Sequence, residues 1–550
     1  MQDLPLRQKL IIMVGVMLGL FFSALLQTSV TTATPHIVAS LGGLDLFSWV
    51  FTIYILTSTV SIPIFGKLSD IYGRKLLYLA SLVVFIAGSA MAGAAQDMPQ
   101  LIAFRAIQGL GAGGISAIAF TIVGDIFAPQ ERGRWEGIVA GTFGVSSVVG
   151  PLVGGYIADN WSWRWVFYIN LPVGVFAFGV IWAVLPQVKG IARGSIDYLG
   201  TASLVGSVSP LLLALLWGGT EYPWSSPVII GLFVASAAIL IVFVMTQARV
   251  EEPILPLELF ANGLFSVSMV ATFLTGAAMF ALTAYLPLFV QAVIGLSATN
   301  SGLVVMPLMI GLVTGAIISG AVMTRTGRYK FLLVGGTAIL TVGLYLTSRM
   351  DADASQAEAV RNMVICGIGI GPTAPLFLII VQNALPHRYL GVATSSVQFF
   401  RQMGGTIGVA VMGTVLNNRI ASELDGALPP AVREANAPPL RDALEQPELL
   451  LNDGAATQVG QMFAQFGDDA STLFDQSIEA LRVSLANSLE TVFLIGLGAA
   501  ALSFITTVIL REIPLRTTEE IMEELRAEGA APEVAGPAVP AEGGAEPTPS

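Results

Sequence analysis

From its first tenth to residue 510, the chain alternates long apolar runs with short polar connections. About 20 mostly apolar residues are needed for an α-helix to cross a bilayer core, where every backbone N–H and C=O must be bonded within the segment. Such runs lie near 10–33, 47–65, 76–95, 101–123, 135–157, 165–185, 198–217, 228–246, 264–294, 301–323, 331–346, 360–381, 391–416 and 485–510. The expected fold is therefore an all-α polytopic membrane protein of about fourteen transmembrane helices. The opening run extends to Ala33 with no small-residue cleavage site, which makes it a retained helix and not a signal peptide.

Hydrophobic residues make up 54% of the 550 and charged residues 11%, against roughly 25% charged in soluble domains. That excludes a soluble enzyme, a disordered chain and a coiled coil. The net charge of −11 is unevenly placed. Residues 417–484 hold eleven acids against four arginines, and residues 512–550 hold nine against two, so the apolar body is mildly basic. No basic block suggests nucleic acid. Lone Cys366 cannot form an internal disulfide, and His36 and His387 are too scattered for a metal site. The glycines at 367, 369 and 371 lie within an apolar run and follow no strand, so they do not form a nucleotide loop, and no P-loop or nucleophile elbow is present. No cofactor is expected, and an enzyme is not.

Lys and Arg set the orientation. With a cytoplasmic N-terminus, the inner side carries Arg7, Lys9, Lys67, Arg74, Lys75, Arg132, Arg134, Lys189, Arg193, Arg249, Arg325, Arg328, Lys330, Arg388, Arg511 and Arg516. The short outer loops offer Arg164, Arg349 and Arg361. Both termini then lie in the cytoplasm, which an even helix count requires. Segment 417–484 becomes an extracytoplasmic helical cap and a possible docking surface for a partner, and the Ala/Pro/Glu-rich end of the tail should be disordered.

The inner connections repeat. Gly66-Lys-Leu-Ser-Asp70-Ile-Tyr-Gly73-Arg74-Lys75 is matched by Gly320, Gly327 and Arg328 at a constant offset of 254 residues. Both copies lie on the same side, so the halves share one topology and are related about the membrane normal. The expected organisation is a six-helix bundle over 1–190, an inserted helix pair over 191–250, bundle helices over 251–416, the cap over 417–484, a last helix over 485–511 and an acidic tail over 512–550.

Those residues resemble the major facilitator superfamily, and within it the fourteen-helix drug:proton antiporter branch. The loop at 66–75 follows the family's G-x-L-x-D-x-x-G-R-K, and Arg105-Ala-Ile-Gln108-Gly109 its R-x-x-Q-G. Gly150-Pro151-Leu-Val-Gly154-Gly155 is similar to the branch's G-P-x-x-G-G, and Trp163-Arg-Trp-Val-Phe-Tyr-Ile-Asn170 to its opening of the sixth helix. The resemblance implies two six-helix bundles and alternating access. Gly66, Asp70, Gly73, Arg74 and Lys75 would form a conformational latch, with Asp70 facing the start of the thirteenth helix. It further implies proton coupling through Arg105 and an export motif at 150–155.

Polar residues within apolar runs are pathway candidates: Gln27, Thr28, Gln108, Gln291, Gln382, Asn383, Gln398 and Arg401. One element departs from the branch. Its usual acid in the first helix is replaced by Leu26, and no other carboxylate lies near the middle of a span. Asp125 and Glu136, near helix ends, are the remaining coupling candidates beside Asp70. The expectation is an inner-membrane, proton-coupled exporter of amphipathic small molecules. Export of a lipid or specialised metabolite, or a non-transporting sensor or scaffold, stand as alternatives.

Overall fold

The computed structural model describes residues 4–42, 46, 48–187, 196–219, 221–296, 298–434, 438–451, 453–516, 520 and 523. Asp45, Lys189, Arg193 and the expected disordered end of the tail lie outside the described residues.

Fourteen long helical elements follow one another: α1 (Leu6–Leu41), α2 (Ser48–Tyr72), α3 (Arg74–Gly93), α4 (Met98–Ile126), α5 (Pro129–Asn160), α6 (Arg164–Val184) and α7 (Tyr198–Trp217). They continue with α8 (Pro227–Gln247), α9 (Gly263–Val293), α10 (Ala298–Thr326), α11 (Lys330–Ser348), α12 (Gln356–Ala384), α13 (Leu390–Ala427) and α14 (Ala470–Ile509). Among the described residues, thirteen are long and apolar enough to cross a membrane. The other is α13, whose apolar character is diluted by Gln398, Arg401, Gln402, Asn417 and Asn418 and which packs against α2, α4, α9 and α14.

Local chemistry sets many of the boundaries. Asp97, Asp197, Ser226 and Asn262 cap helix N-termini with their side chains, and Ser355 with Glu358 forms a capping box at α12. Gly73 and Gly327 close the two repeated loops at φ 89° and 67°, a region that costs residues with a Cβ. Helix α12 is interrupted at Gly371-Pro372, and α9 ends in a π-turn over Phe289–Val293.

Helices α1–α6 share one apolar core, and α9–α14 share another that continues into the cap. The halves meet where α2 packs on α13 and α5 on α10. The pair α7–α8 lies beside the first of these seams, with Leu204, Val208, Leu212 and Phe243 against Leu56, Val60 and Met403. The outer side of α8, including Val234, Leu240 and Ile241, stays exposed, as a helix facing lipid requires.

Two expected boundaries are corrected. Position 417 is not a helix end: buried Leu416, Ile420 and Leu424 extend the apolar stripe, and α13 runs on to Ala427. Position 485 is not a helix start, because α14 begins at Ala470 and buries Ser477, Ala480 and Leu481 before reaching the span. Between them lie short helices Pro430–Glu434, Pro438–Leu444 and Asp453–Met462. The segment expected as a cap is thus built largely from the extended ends of α13 and α14 and is fused to the second half's core. We call the face bearing the start of α1 and the end of α14 the terminal face and its opposite the cap face.

Candidate functional site

At the terminal face, the end of α2 meets the start of α13. Asp70 is 3% exposed. Its Oδ1 accepts from Gly391 N at 2.9 Å and its Oδ2 from Val392 N at 3.0 Å, two N–H groups the helix itself cannot satisfy. Arg74 Nη1 pairs with Asp70 at 2.6 Å, its Nε reaches Asp125 at 3.0 Å, and His387 Nε2 lies 3.3 Å from the other Asp125 oxygen. Asp70 and His387 thus both cross between the halves. Gly66 allows the approach: a Cβ there would fall 2.1 Å from Ser395 Oγ. Lys67 pairs with Glu252 beyond α8 at 2.7 Å, tying the loop to the inserted pair, while Lys75 is half-buried at the edge.

A second cluster lies on α5. Arg132 Nε donates to Phe127 O at 3.0 Å, and its Nη1 donates to Gln382 Oε1 across the half boundary at 3.2 Å. Gln382 in turn donates to Thr394 at 3.1 Å. Glu136, one turn further in, is fully buried.

Arg105 sits within the first half, towards the cap face. It stacks on Tyr54 at 4.1 Å, and its Nη1 donates to Gln108 Oε1 at 2.6 Å and its Nε to Val50 O at 3.3 Å. Tyr54 donates to Ser23 O at 3.2 Å. In the second half, Arg401 donates to Gln398.

The glycine motif of α5 has two faces. Ser29 of α1 donates to Gly150 O at 2.7 Å, and Cβ atoms at Gly150 and Gly154 would lie 1.9 Å from Thr28 Oγ1 and 2.6 Å from Ser29 O. Gly155 meets nothing within 4 Å, and Pro151 is half-buried beside it. The two inner-facing glycines let α1 and α5 touch backbone to backbone.

The pathway candidates do not form one set. Gln27 and Gln291 are half-buried on α1 and in the π-turn of α9, and Thr28 is spent on Leu25 O at 3.0 Å. Gln382 belongs to the inter-half contact. Asn383 donates to Pro514 O at 2.9 Å and accepts from Arg516 N at 2.8 Å, so it anchors the segment after α14. That segment also offers Glu512 to the N–H groups of Tyr329 and Lys330 at 3.0 and 3.2 Å. Ile513 and Tyr329 exchange hydrogen bonds. Burial holds the Tyr329 phenol above its ordinary pKa, so it remains a donor. Sequence reasoning counted Arg132 only as a loop charge and assigned no role to His387, Glu252 or Glu512. The i,i+4 spacing of Arg132 and Glu136 was the one available signal.

The family model described as Major Facilitator Superfamily matches residues 16–197 and 195–409. The chain belongs to the major facilitator superfamily. It is 37% identical to "Multidrug resistance protein 3" of Bacillus subtilis (strain 168) over 515 residues, covering 93% of this chain and 97% of that protein. It is 35% identical to "Multidrug transporter protein MdtP" of the same strain over 513 residues, covering 92% and 94%. "Efflux pump FUS6" of Gibberella moniliformis is 31% identical over 519 residues, covering 92% and 88%. The crystal structure of the human organic anion transporter MFSD10 (TETRAN) superposes with a TM-score of 0.58 at 14% identity, over 92% of this chain and all of that one, a likeness of fold alone. This superfamily member is a membrane transporter of small molecules.

Proposed function

We propose that this transporter is a secondary exporter of amphipathic small molecules that exchanges protons for cargo by alternating access. The observation that carries the reading is the Asp70 carboxylate seated on the N-terminus of α13 from the opposite half. An anion bonded to free N–H groups at a helix start is stabilised, and this contact exists only while the halves are closed on the terminal face. Asp70 is then a latch for one state of the cycle, with Arg74 and Asp125 holding it in place. In this reading, which the positive-inside pattern supports, the terminal face is cytoplasmic and the membrane is the cell membrane, so the present state is the outward-directed one. The relatives described as multidrug transporters and efflux pumps support the cargo class.

The interior favours neutral or anionic amphiphiles over cations. Leu26 is fully buried in the core, and the charges deepest in the spans are Arg105 and Arg401. The test is efflux of the neutral dye Nile red from expressing cells, with and without a protonophore. Protonophore-sensitive efflux that falls at least about tenfold in Asp70→Asn is expected, the loss of one charge-assisted contact worth about 1–3 kcal/mol. Undiminished efflux from a normally folded Asp70→Asn protein would remove the latch assignment.

A further inference from the structure

Proton exchange needs a titratable group that the two halves bury and release in turn, and α1 supplies no carboxylate for it. Glu136 is 0% exposed, and neither of its carboxylate oxygens has a hydrogen-bond partner among the described residues. By contrast, Asp70 is held by two backbone N–H groups and Arg74, and Asp125 by Arg74 and His387. One turn nearer the terminal face, Arg132 is 2% exposed and leaves Nη2 unpartnered. Residues four apart on a helix can meet. Here they do not, because Arg132 is bonded to Phe127 O and to Gln382 of the opposite half.

The surroundings sharpen the picture. Arg132 is the charged group acting on Glu136, and Arg132 in turn lies in the field of Asp125. The α10 side packed on this stretch of α5 presents Ala316, Gly320 and Met323, and α12 presents Ile379 and Gln382. An ionised carboxylate stripped of both water and hydrogen bonds is too costly to persist. With the terminal face closed, Glu136 therefore holds its proton.

We propose that Glu136 is the carboxylate whose proton is exchanged for cargo, and that Arg132 is its positioning residue, bonded to Gln382 when the terminal face is closed and to Glu136 when it is open. This rests on the antiport reading above. When the halves part, the Arg132–Gln382 bond breaks and water reaches Glu136. The carboxylic O–H bond breaks, its proton passes to that water as hydronium, and Arg132 neutralises the carboxylate left behind. On the return to the closed state a proton drawn from the opposite side of the membrane re-forms the O–H bond, and Arg132 returns to Gln382 as the face seals. The arrangement explains why an unpaired acid is retained beside an arginine that points elsewhere.

The experiment uses the full chain with Cys366→Ser and spin labels at Tyr72→Cys and Thr326→Cys, exposed positions on opposite halves of the terminal face. Inter-label distances are measured by double electron–electron resonance from about pH 5 to about pH 9. The expected result is an open population that rises with pH. Glu136→Gln should abolish the rise and stay closed throughout, Glu136→Asp should keep it, and Glu131→Gln, an exposed acid one turn earlier on the same helix, should leave it in place. Gln382→Ala, which deprives Arg132 of its alternative partner, should move the midpoint to lower pH, a shift that a merely structural glutamine would not produce. A pH-independent parent, a Glu136→Gln protein that still opens with pH, or a response that vanishes in Glu131→Gln instead would each overturn the assignment. The exporter reading fails separately, if cells expressing the unlabelled protein move no Nile red.

Discussion

The two repeated loops of the terminal face share a backbone and differ in charge. Each turns on a glycine with positive φ, at Gly73 and Gly327. Each brings a glycine of one half against the other half: Gly66 meets Gly391 and Ser395, and Gly320 meets Gly133 and Arg134. There the equivalence ends. In the first loop Asp70 enters the seam and caps α13. In the second, Thr324 takes that place, is exposed and bonds back to Gly320 O at 2.8 Å within its own helix. The start of α11, which follows the second loop, is satisfied from elsewhere, by Glu512 of the segment after α14. Duplication preserved the fit of the halves while only one copy kept the electrostatic lock. One loop latches its seam by charge, and the other meets the opposite half by shape.

That comparison can be broken at several points. Gly66→Val and Gly320→Val should be the most damaging changes, and equally so. A Cβ at 66 would lie 2.1 Å from Ser395 Oγ and one at 320 lies 2.5 Å from Arg134 N; overpacking of this kind costs about 1–3 kcal/mol or more. Both variants should lower Nile red efflux at least about tenfold, and a large difference between them would show that the seams are not equivalent in shape.

Truncation after residue 510 should come next in size, because it removes the contacts of Glu512, Ile513 and Pro514 together. A clear fall in the thermal midpoint of the detergent-purified protein is expected. Glu512→Gln alone should show a smaller fall, in line with about 0.5–2 kcal/mol for a helix cap. An unchanged midpoint in the truncated protein would mean that α11 is held without the segment after α14. Thr324→Val should be the mildest change and leave efflux in place, because it removes no charge from the seam. A defect there as large as that of Asp70→Asn would restore the symmetry that the structure denies.

The legible parts of this molecule were those with local causes. Span lengths, N-caps such as Asp97 and the turn glycines follow from a few neighbouring residues, and the repeat shows because identical residues recur at one offset. The start of α13 near Gly391 was also readable, whereas the meeting of Asp70 with it was implied only by the family resemblance. The candidate cavity was not. A polar residue in an apolar run announces that it needs a partner and says nothing about which one, so Gln382 and Asn383 read as pathway residues. In the fold they serve the inter-half contact and the segment after α14. The extent of the cap was misread for a related reason. Charge and proline suggested that the span ended at 417, whereas the stripe of Leu416, Ile420 and Leu424 finds apolar neighbours and stays helical.

The sequence by itself determined an all-helical membrane protein, because bilayer thickness and backbone hydrogen bonding leave a chain of such runs no other solution, and its repeated loops marked two related halves. Which charge locks which seam was decided only by tertiary structure. Asp70 reaches its partners across 321 and 322 residues, Arg132 across 250 and Glu512 across 183. Glu136 is distinctive for what does not reach it. A carboxylate's role depends on the groups packed around it, and those groups are assembled only when the two halves meet.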